Sequence, residues 1–321
     1  MGYGRVGIFK GISLRVSLRH SLILMPFVSR TLGVPDIGIA GIQLFTQAHR
    51  EYSFVNTKVA PNIQYAYQAL ALDEARKSFS PTVWESPKPG TKSSLKLLKQ
   101  CWFPGAHSSV GGGFADTSIA DITLAWMVTQ LQRHLSFDES YIPMQQERNA
   151  DFYTEHHESV QSWAMGQIRR SDAGFLNTIL GRQVRTPGNY HATDPSTGKQ
   201  SSRKLVNTCE FVHPSVRYRI QQKGPGLATS DTSLGSGVYD PAALQKWKYY
   251  APNVPWHDKS ADMGEDTEKW DGYGKWVATN SDGSATFIVE EKIDESSAEM
   301  KLIQKWPGVE DKLLQDGELS N

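Results

Sequence analysis

The sequence predicts an α/β fold, a layered sheet with flanking helices and an irregular C-terminal region, and three observations carry it. Leu97–Phe103 is an apolar-rich run of strand length that Pro104-Gly105 stops. Ile119 to about Leu135 is a helix signal opened by a Ser118-x-x-Asp121 capping box, and its first half is apolar almost all round. A helix of that kind is buried on more than one side. Between the two lies Gly111-Gly112-Gly113, so the unit reads strand, glycine-rich loop, buried helix: half of a βαβ element. The 321 residues, 39% of them hydrophobic, are enough for one large domain of this class.

The other elements follow in chain order. Residues 1–32 read unlike the rest. Arg5, Lys10, Arg15, Arg19 and Arg30 face no acidic residue up to position 35, and Leu22–Val28 is a short apolar run. A signal peptide would have a shorter basic region and a longer apolar one; a mitochondrial-type presequence fits the composition better, and a segment foreign to the domain fits it too. Gly2-Tyr-Gly4-Arg-Val-Gly7 has the letters of a dinucleotide loop but no strand before it, and Val6 stands where myristoylation needs Ser or Thr. Asn62–Phe79 is expected to be a helix, with Pro61 at its start, Ala66, Ala69, Leu70, Leu72 and Ala75 at helical spacing, and Asp73, Glu74, Arg76 and Lys77 on a polar face. Residues 86–94 read as a loop, and Arg185–Gly188 and Asp194–Gly198 as turns. Leu205–Val212 and Val216–Ile220 are candidate strands, and the aromatics Tyr239, Trp247, Tyr249, Tyr250 and Trp256 should pack onto the domain. Residues 258–283 read as a mobile acidic loop, Ala285–Glu290 as a strand and Ala298–Leu314 as a closing helix.

Composition excludes several classes. Lys+Arg and Asp+Glu both total 34, and a neutral chain is not a general nucleic-acid binder. Two cysteines, Cys101 and Cys209, rule out a disulfide scaffold and a Cys-based zinc ribbon. No apolar run approaches the roughly 20 residues of a membrane-spanning helix. The absence of any Asn-x-Ser/Thr site fits a non-secreted protein, so a cytoplasmic location is favoured. Charge divides the chain: residues 258–321 hold 16 acidic residues against 7 lysines. The expected organisation is therefore an atypical segment 1–32, a domain 33–257 and an acidic extension 258–321.

The sharpest candidate site is Gly105-Ala-His107-Ser108-Ser-Val-Gly111-Gly112-Gly113. A histidine on the loop after a sheet strand is placed to serve as a general base toward a nucleophile at the same sheet edge. The glycines allow close backbone approach, and successive N–H groups there can cradle an anion. The competing reading is a tight turn with His107 bonded in the core. His156-His157-Glu158 is a weaker metal candidate, because adjacent histidines point apart and no second ligand pair has suitable spacing. His213-Pro-Ser215 is a further candidate that also reads as a structural turn.

Three blocks carry a family resemblance: Tyr67-x-Ala-Leu-Ala-Leu-Asp-Glu-x-Arg76-x-x-Phe79-x-Pro81-x-x-Trp84, Trp102-Phe-Pro-Gly-x-His107-Ser-x-Val-Gly-Gly-Gly113 and Ala120-Asp-Ile-x-Leu-Ala-Trp-Met127. They resemble the α/β-hydrolase family named for the catalytic domain of bacterial type VI secretion phospholipase effectors. Arg185-Thr-Pro-Gly-x-Tyr190, Asp194-Pro-x-x-Gly198 and His213-Pro-Ser-Val-Arg217 resemble its fungal branch, and the likeness runs from about Gly33 to about Tyr250. The resemblance implies an α/β-hydrolase sheet, a Ser–His–Asp esterase on a lipid or other ester substrate, and no cofactor or metal, with the family histidine falling on His107.

The rest of the family's machinery has no counterpart here. The sequence contains no Asp-Gly-Thr turn and no Gly-x-Ser-x-Gly elbow; Gly11-Ile-Ser13-Leu-Arg15 lacks the closing glycine. Where a Trp-Asp-Thr-Val segment belongs, the chain reads Phe27-Val-Ser-Arg-Thr31, and Ser109 stands where an Asp is frequent. Loss of a triad serine costs on the order of a millionfold in turnover. Three readings stay open: an esterase whose nucleophile is Ser13, Ser29 or a partner's; a pseudoenzyme or lipid- or protein-interaction module; and an N-terminally incomplete chain whose first 32 residues are misread upstream sequence.

Overall fold

The apolar run that ends at Pro104 becomes an inner strand of a seven-stranded sheet in the computed structural model. The structure describes residues 22–24 (backbone), 59–171, 181–193, 200–229, 234–252, 270, 272–279 and 283–314. In chain order the elements begin with β1 (Leu22–Leu24), β2 (Tyr65–Ala71) and β3 (Leu97–Phe103). Helices α1 (His107–Gly111), α2 (Ser118–Leu131) and α3 (Tyr141–Glu155) follow. Then come β4 (Ile168–Arg169), β5 (His191–Thr193), β6 (Gln200–Lys204), β7 (Glu210–Val212) and helix α4 (Pro214–Gln221). The chain continues through β8 (Pro225–Ala228), β9 (Gly235–Val238), β10 (Trp247–Tyr250), β11 (Lys275–Thr279) and β12 (Ala285–Glu290), and then helices α5 (Ala298–Ile303) and α6 (Val309–Leu314).

The main sheet runs β1-β2-β3-β7-β12-β11-β10. Its first five strands are parallel, and β11 and β10 add antiparallel. Helices pack against it, so the α/β class is borne out. Two smaller sheets, β4-β8-β9 and β5-β6, lie beside it. Strands β11 and β12 come from the stretch that charge alone set apart as an acidic extension. Successive residues of β3 enter different clusters, as side chains alternate across a strand. Cys101 and Phe103 join Trp126, Ile122, Met300 and Ile303 under the helices, while Trp102 joins Tyr190, Leu244, Tyr249 and Trp276 on the opposite face. Both faces of the sheet are therefore covered.

That double burial explains the largest correction. The expected helix over Asn62–Phe79 is strand β2 followed by a loop and a single 3-10 turn at Lys77–Phe79. Every residue from Ala66 to Ala71 is buried, and an inner parallel strand reads as a near-continuous apolar run in which helical spacing is satisfied by chance. The polar residues credited to a helix face lie past the strand's end.

Other expectations divide in the same way. β3 and β12 have the bounds expected of them, residues 86–94 form a loop, and the turn at Arg185–Gly188 is present, closed by Asn189 N–H on the Thr186 carbonyl at 3.0 Å. The Asp194–Gly198 turn, Trp256 and residues 258–269 lie outside the described residues. Leu205–Val212 yields only β7, because Asn207 and Cys209 have φ of 53° and 48° and break the extended run. Val216–Ile220 is helical within α4, not extended: Pro214 opens the helix, and the His213 side chain caps it by accepting the Ser215 N–H. The acidic loop expected over 258–283 contains β11, whose Trp276 and Val277 are buried. The closing helix is two helices, broken at Pro307-Gly308, with Gly308 at φ 77°. At the start of α2 the cap is Thr117 rather than Ser118, and Asp116 accepts the Ser118 N–H at 2.9 Å and the Ser118 hydroxyl at 2.6 Å. Helix α3 carries only two buried residues, Asn149 and Tyr153, and had no apolar period to announce it.

Candidate active site

The histidine loop is built by carrying the β2–β3 ladder past the ends of both strands. Leu72 N–H donates to the Phe103 carbonyl and Asp73 N–H to the Gly105 carbonyl, both at 3.0 Å, and Gly105 N–H returns to Asp73 Oδ2 at 2.6 Å. Gly105 has φ 111°, and a Cβ there would sit 2.8 Å from Ser109 Cβ, so only glycine fits this close turn. His107 is then the first residue of α1, at the C-terminal edge of the parallel strands, with Ser108 half-buried and Ser109 buried beside it. Gly111 ends the helix; Gly112 and Gly113, at φ 82° and 132°, turn the chain toward α2.

His107 sits in a bracket made by the residues that follow β2. Its N–H donates to Glu74 Oε2 at 3.2 Å. Glu74 also takes Arg76 Nε at 2.9 Å on one oxygen and Nη2 at 2.8 Å on the other. The Arg76 guanidinium lies 3.5 Å from the Phe79 ring centroid, and the Phe79 ring meets the His107 ring edge-on at 5.1 Å. Burial holds the imidazole below its ordinary pKa; the Glu74 charge opposes that shift and Arg76 adds to it. His107 is therefore neutral at physiological pH, the form that accepts a proton.

A buried layer supports the bracket. Asp73 Oδ2 also accepts the Tyr239 hydroxyl at 2.7 Å. Arg219, fully buried, lies with its guanidinium 5.2 Å from the Tyr239 ring and donates to the carbonyls of Ala164, Gly166 and Pro225. Asp116 receives Tyr153 Oη and Gln167 N–H, each at 2.6 Å, which fastens α3 to the start of α2. None of Asp73, Glu74, Arg219 or Tyr239 drew a role from the sequence alone. The available signal was an Asp-Glu pair directly after a strand beside the histidine strand.

The second histidine candidate has the connectivity of a triad but not its access. Ser215 Oγ lies 2.7 Å from His213 Nδ1, and His213 Nε2 lies 2.8 Å from Glu299 Oε1. All three are buried, His213 and Ser215 completely, so the group clamps α5 onto the start of α4. Burial drives His213 down to about 3 and Glu299 up to about 8, which keeps both neutral at pH 7. Glu299, raised above its unfolded value, contributes stability that is complete at low pH and lost as pH rises through about 8. His213, depressed, costs stability as pH falls below about 6.5. The two slopes offset each other in mildly acid solution, and the Glu299 loss stands alone above it. Glu299→Gln, which keeps an acceptor for His213 Nε2, is expected to flatten the fall in unfolding free energy between pH 6.5 and 8 by about 1–2 kcal/mol. Urea melts at several pH values measure it; a wild-type slope in the variant would remove Glu299 as its source.

His156 and His157 lie exposed at the end of α3 with Glu158 half-buried after them, and His156 Nδ1 is 2.7 Å from the Phe152 carbonyl. Among the described residues no group of three His, Cys, Asp or Glu side chains could hold a metal ion, and no helix is long and apolar enough to cross a membrane.

A family model described as "T6SS, Phospholipase effector Tle1-like, catalytic domain" matches residues 30–130. Those residues are similar to that domain. The match takes in β2, β3, the bracket, His107 and nearly all of α2, and it spans less than half of the chain. Comparison with the curated proteins and with the solved structures returns no match.

Proposed function

We propose that this chain carries the histidine side of a phospholipase-like ester hydrolase of the α/β-hydrolase type, and that as written it binds an ester or lipid without turning it over. One juxtaposition carries the reading. His107 is seated as a neutral base at the C-terminal sheet edge, in a segment similar to a phospholipase effector catalytic domain. Yet the sequence holds no Gly-x-Ser-x-Gly elbow to present a nucleophile to it. A base without a nucleophile leaves positioning and binding as what the site can do. Ser13 and Ser29 lie outside the described residues; Ser13 lacks the closing glycine of a strained elbow, and Ser29 lacks both glycines. The test is reaction with a fluorophosphonate, which modifies an activated serine and leaves an unactivated one alone; the reading expects no adduct.

A further inference from the structure

The geometry points to Glu74 as the positioning residue of His107: its carboxylate holds the histidine's main chain and, through Arg76 and Phe79, the ring that packs on the imidazole. The inference rests on reading His107 as the site's base. The family resemblance puts the acid of the site upstream, in a segment this sequence lacks. The structure offers a different carboxylate, in the loop that follows β2, the strand next to β3.

Glu74 is buried, three residues past Ala71, the last position at which β2 and β3 are paired. Its oxygens are divided between two tasks. Oε2 receives the His107 N–H and Arg76 Nη2, and Oε1 receives Arg76 N–H and Nε. The ion pair aims the guanidinium at Phe79, and Phe79 closes on the edge of the imidazole. One carboxylate therefore sets His107 twice, through its N–H and through the ring that packs on it. β2 and α2 pack on α1, and the Lys77–Phe79 turn meets it through Phe79. Asp121 of α2 is engaged by Thr117, and Asp73 by Gly105 and Tyr239. Glu74 and Arg76 are the charges that act on the imidazole, the acid more strongly than the cation.

Sign separates positioning from simple support. Burial lowers the affinity of His107 for a proton and Glu74 raises it. If Glu74 only held the loop together, Glu74→Gln would loosen it, admit water and move the His107 midpoint upward. If Glu74 acts through its charge, the same variant moves it downward, by about one pH unit. The measurement is an NMR titration of the full chain with labelled histidine, the His107 signal being identified by its loss in His107→Gln. A downward shift is expected; no shift, or an upward one, overturns the inference. Should Glu74→Gln not fold, Glu74→Gln/Arg76→Gln removes the pair as a unit. The midpoint there still moves downward, because the acid outweighs the cation, and a static or raised midpoint overturns the inference again. A fluorophosphonate adduct would refute the absence of turnover without touching this titration, so the two claims fail separately.

Discussion

Trp102→Ala is expected to lower the unfolding free energy by about 3–5 kcal/mol in a urea melt. Trp102 is fully buried on the face of β3 opposite the helices, stacked on Tyr190 at 6.0 Å between centroids. Alanine there leaves a cavity the size of an indole between the sheet and the 190–251 region. It also removes a donor: Trp102 Nε1 gives 2.8 Å to Glu210 Oε2, a carboxyl that burial already pushes up in pKa and that holds the Gly188 turn at 3.0 Å and Thr208 at 2.8 Å. Trp102→Phe separates the two effects. It keeps most of the volume and loses the hydrogen bond, at a cost of about 1–3 kcal/mol. A Trp102→Ala loss below about 1 kcal/mol would mean that the far face of the sheet is not packed as described.

Arg219→Met comes next in size, at about 3–5 kcal/mol, as for removal of one partner from a buried charged network. The guanidinium spans three carbonyls: Nη1 to Ala164 at 2.6 Å and to Gly166 at 2.8 Å, and Nε and Nη2 to Pro225 at 3.1 and 2.5 Å. Burial lowers Arg219 to about 10, so it remains charged at pH 7 and its charge acts on Asp73. Methionine fills the space but orphans all three carbonyls and leaves Asp73 without that charge. Lysine is expected to recover only part of the loss, because one ammonium cannot span acceptors arranged for a planar fork. Thermal and urea melts measure both variants; an Arg219→Met protein within about 1 kcal/mol of wild type contradicts this account of the layer beneath the histidine loop.

What could be read from the sequence follows from how local each signal is. Strand β3 is bounded by its own Pro-Gly stop and β12 by its own alternation, and both were legible. The glycine loop and the buried helix after it were legible for the same reason. Strand β2 was not, because burial on both faces erases the period that separates strand from helix. Helix α4 was misread because Arg217 and Arg219 count as polar in a pattern, yet both are buried: one pairs with Glu290 at 2.9 Å and the other serves the three carbonyls. Of these partners only Pro225 is near in sequence; Ala164, Gly166 and Glu290 lie dozens of residues away, where no window looks. The site divides along the same line. His107 and its glycines declare themselves within nine residues, whereas Glu74 lies 33 residues upstream of the N–H it holds.

The proposed site is a histidine base without a working nucleophile. Its most direct measurement is the intact mass of the purified full chain after incubation with excess fluorophosphonate, with His107→Ala treated in parallel. Unmodified mass is expected for both proteins. A stoichiometric adduct on one serine of the wild type, lost in His107→Ala, would show a complete charge-relay site and contradict the account.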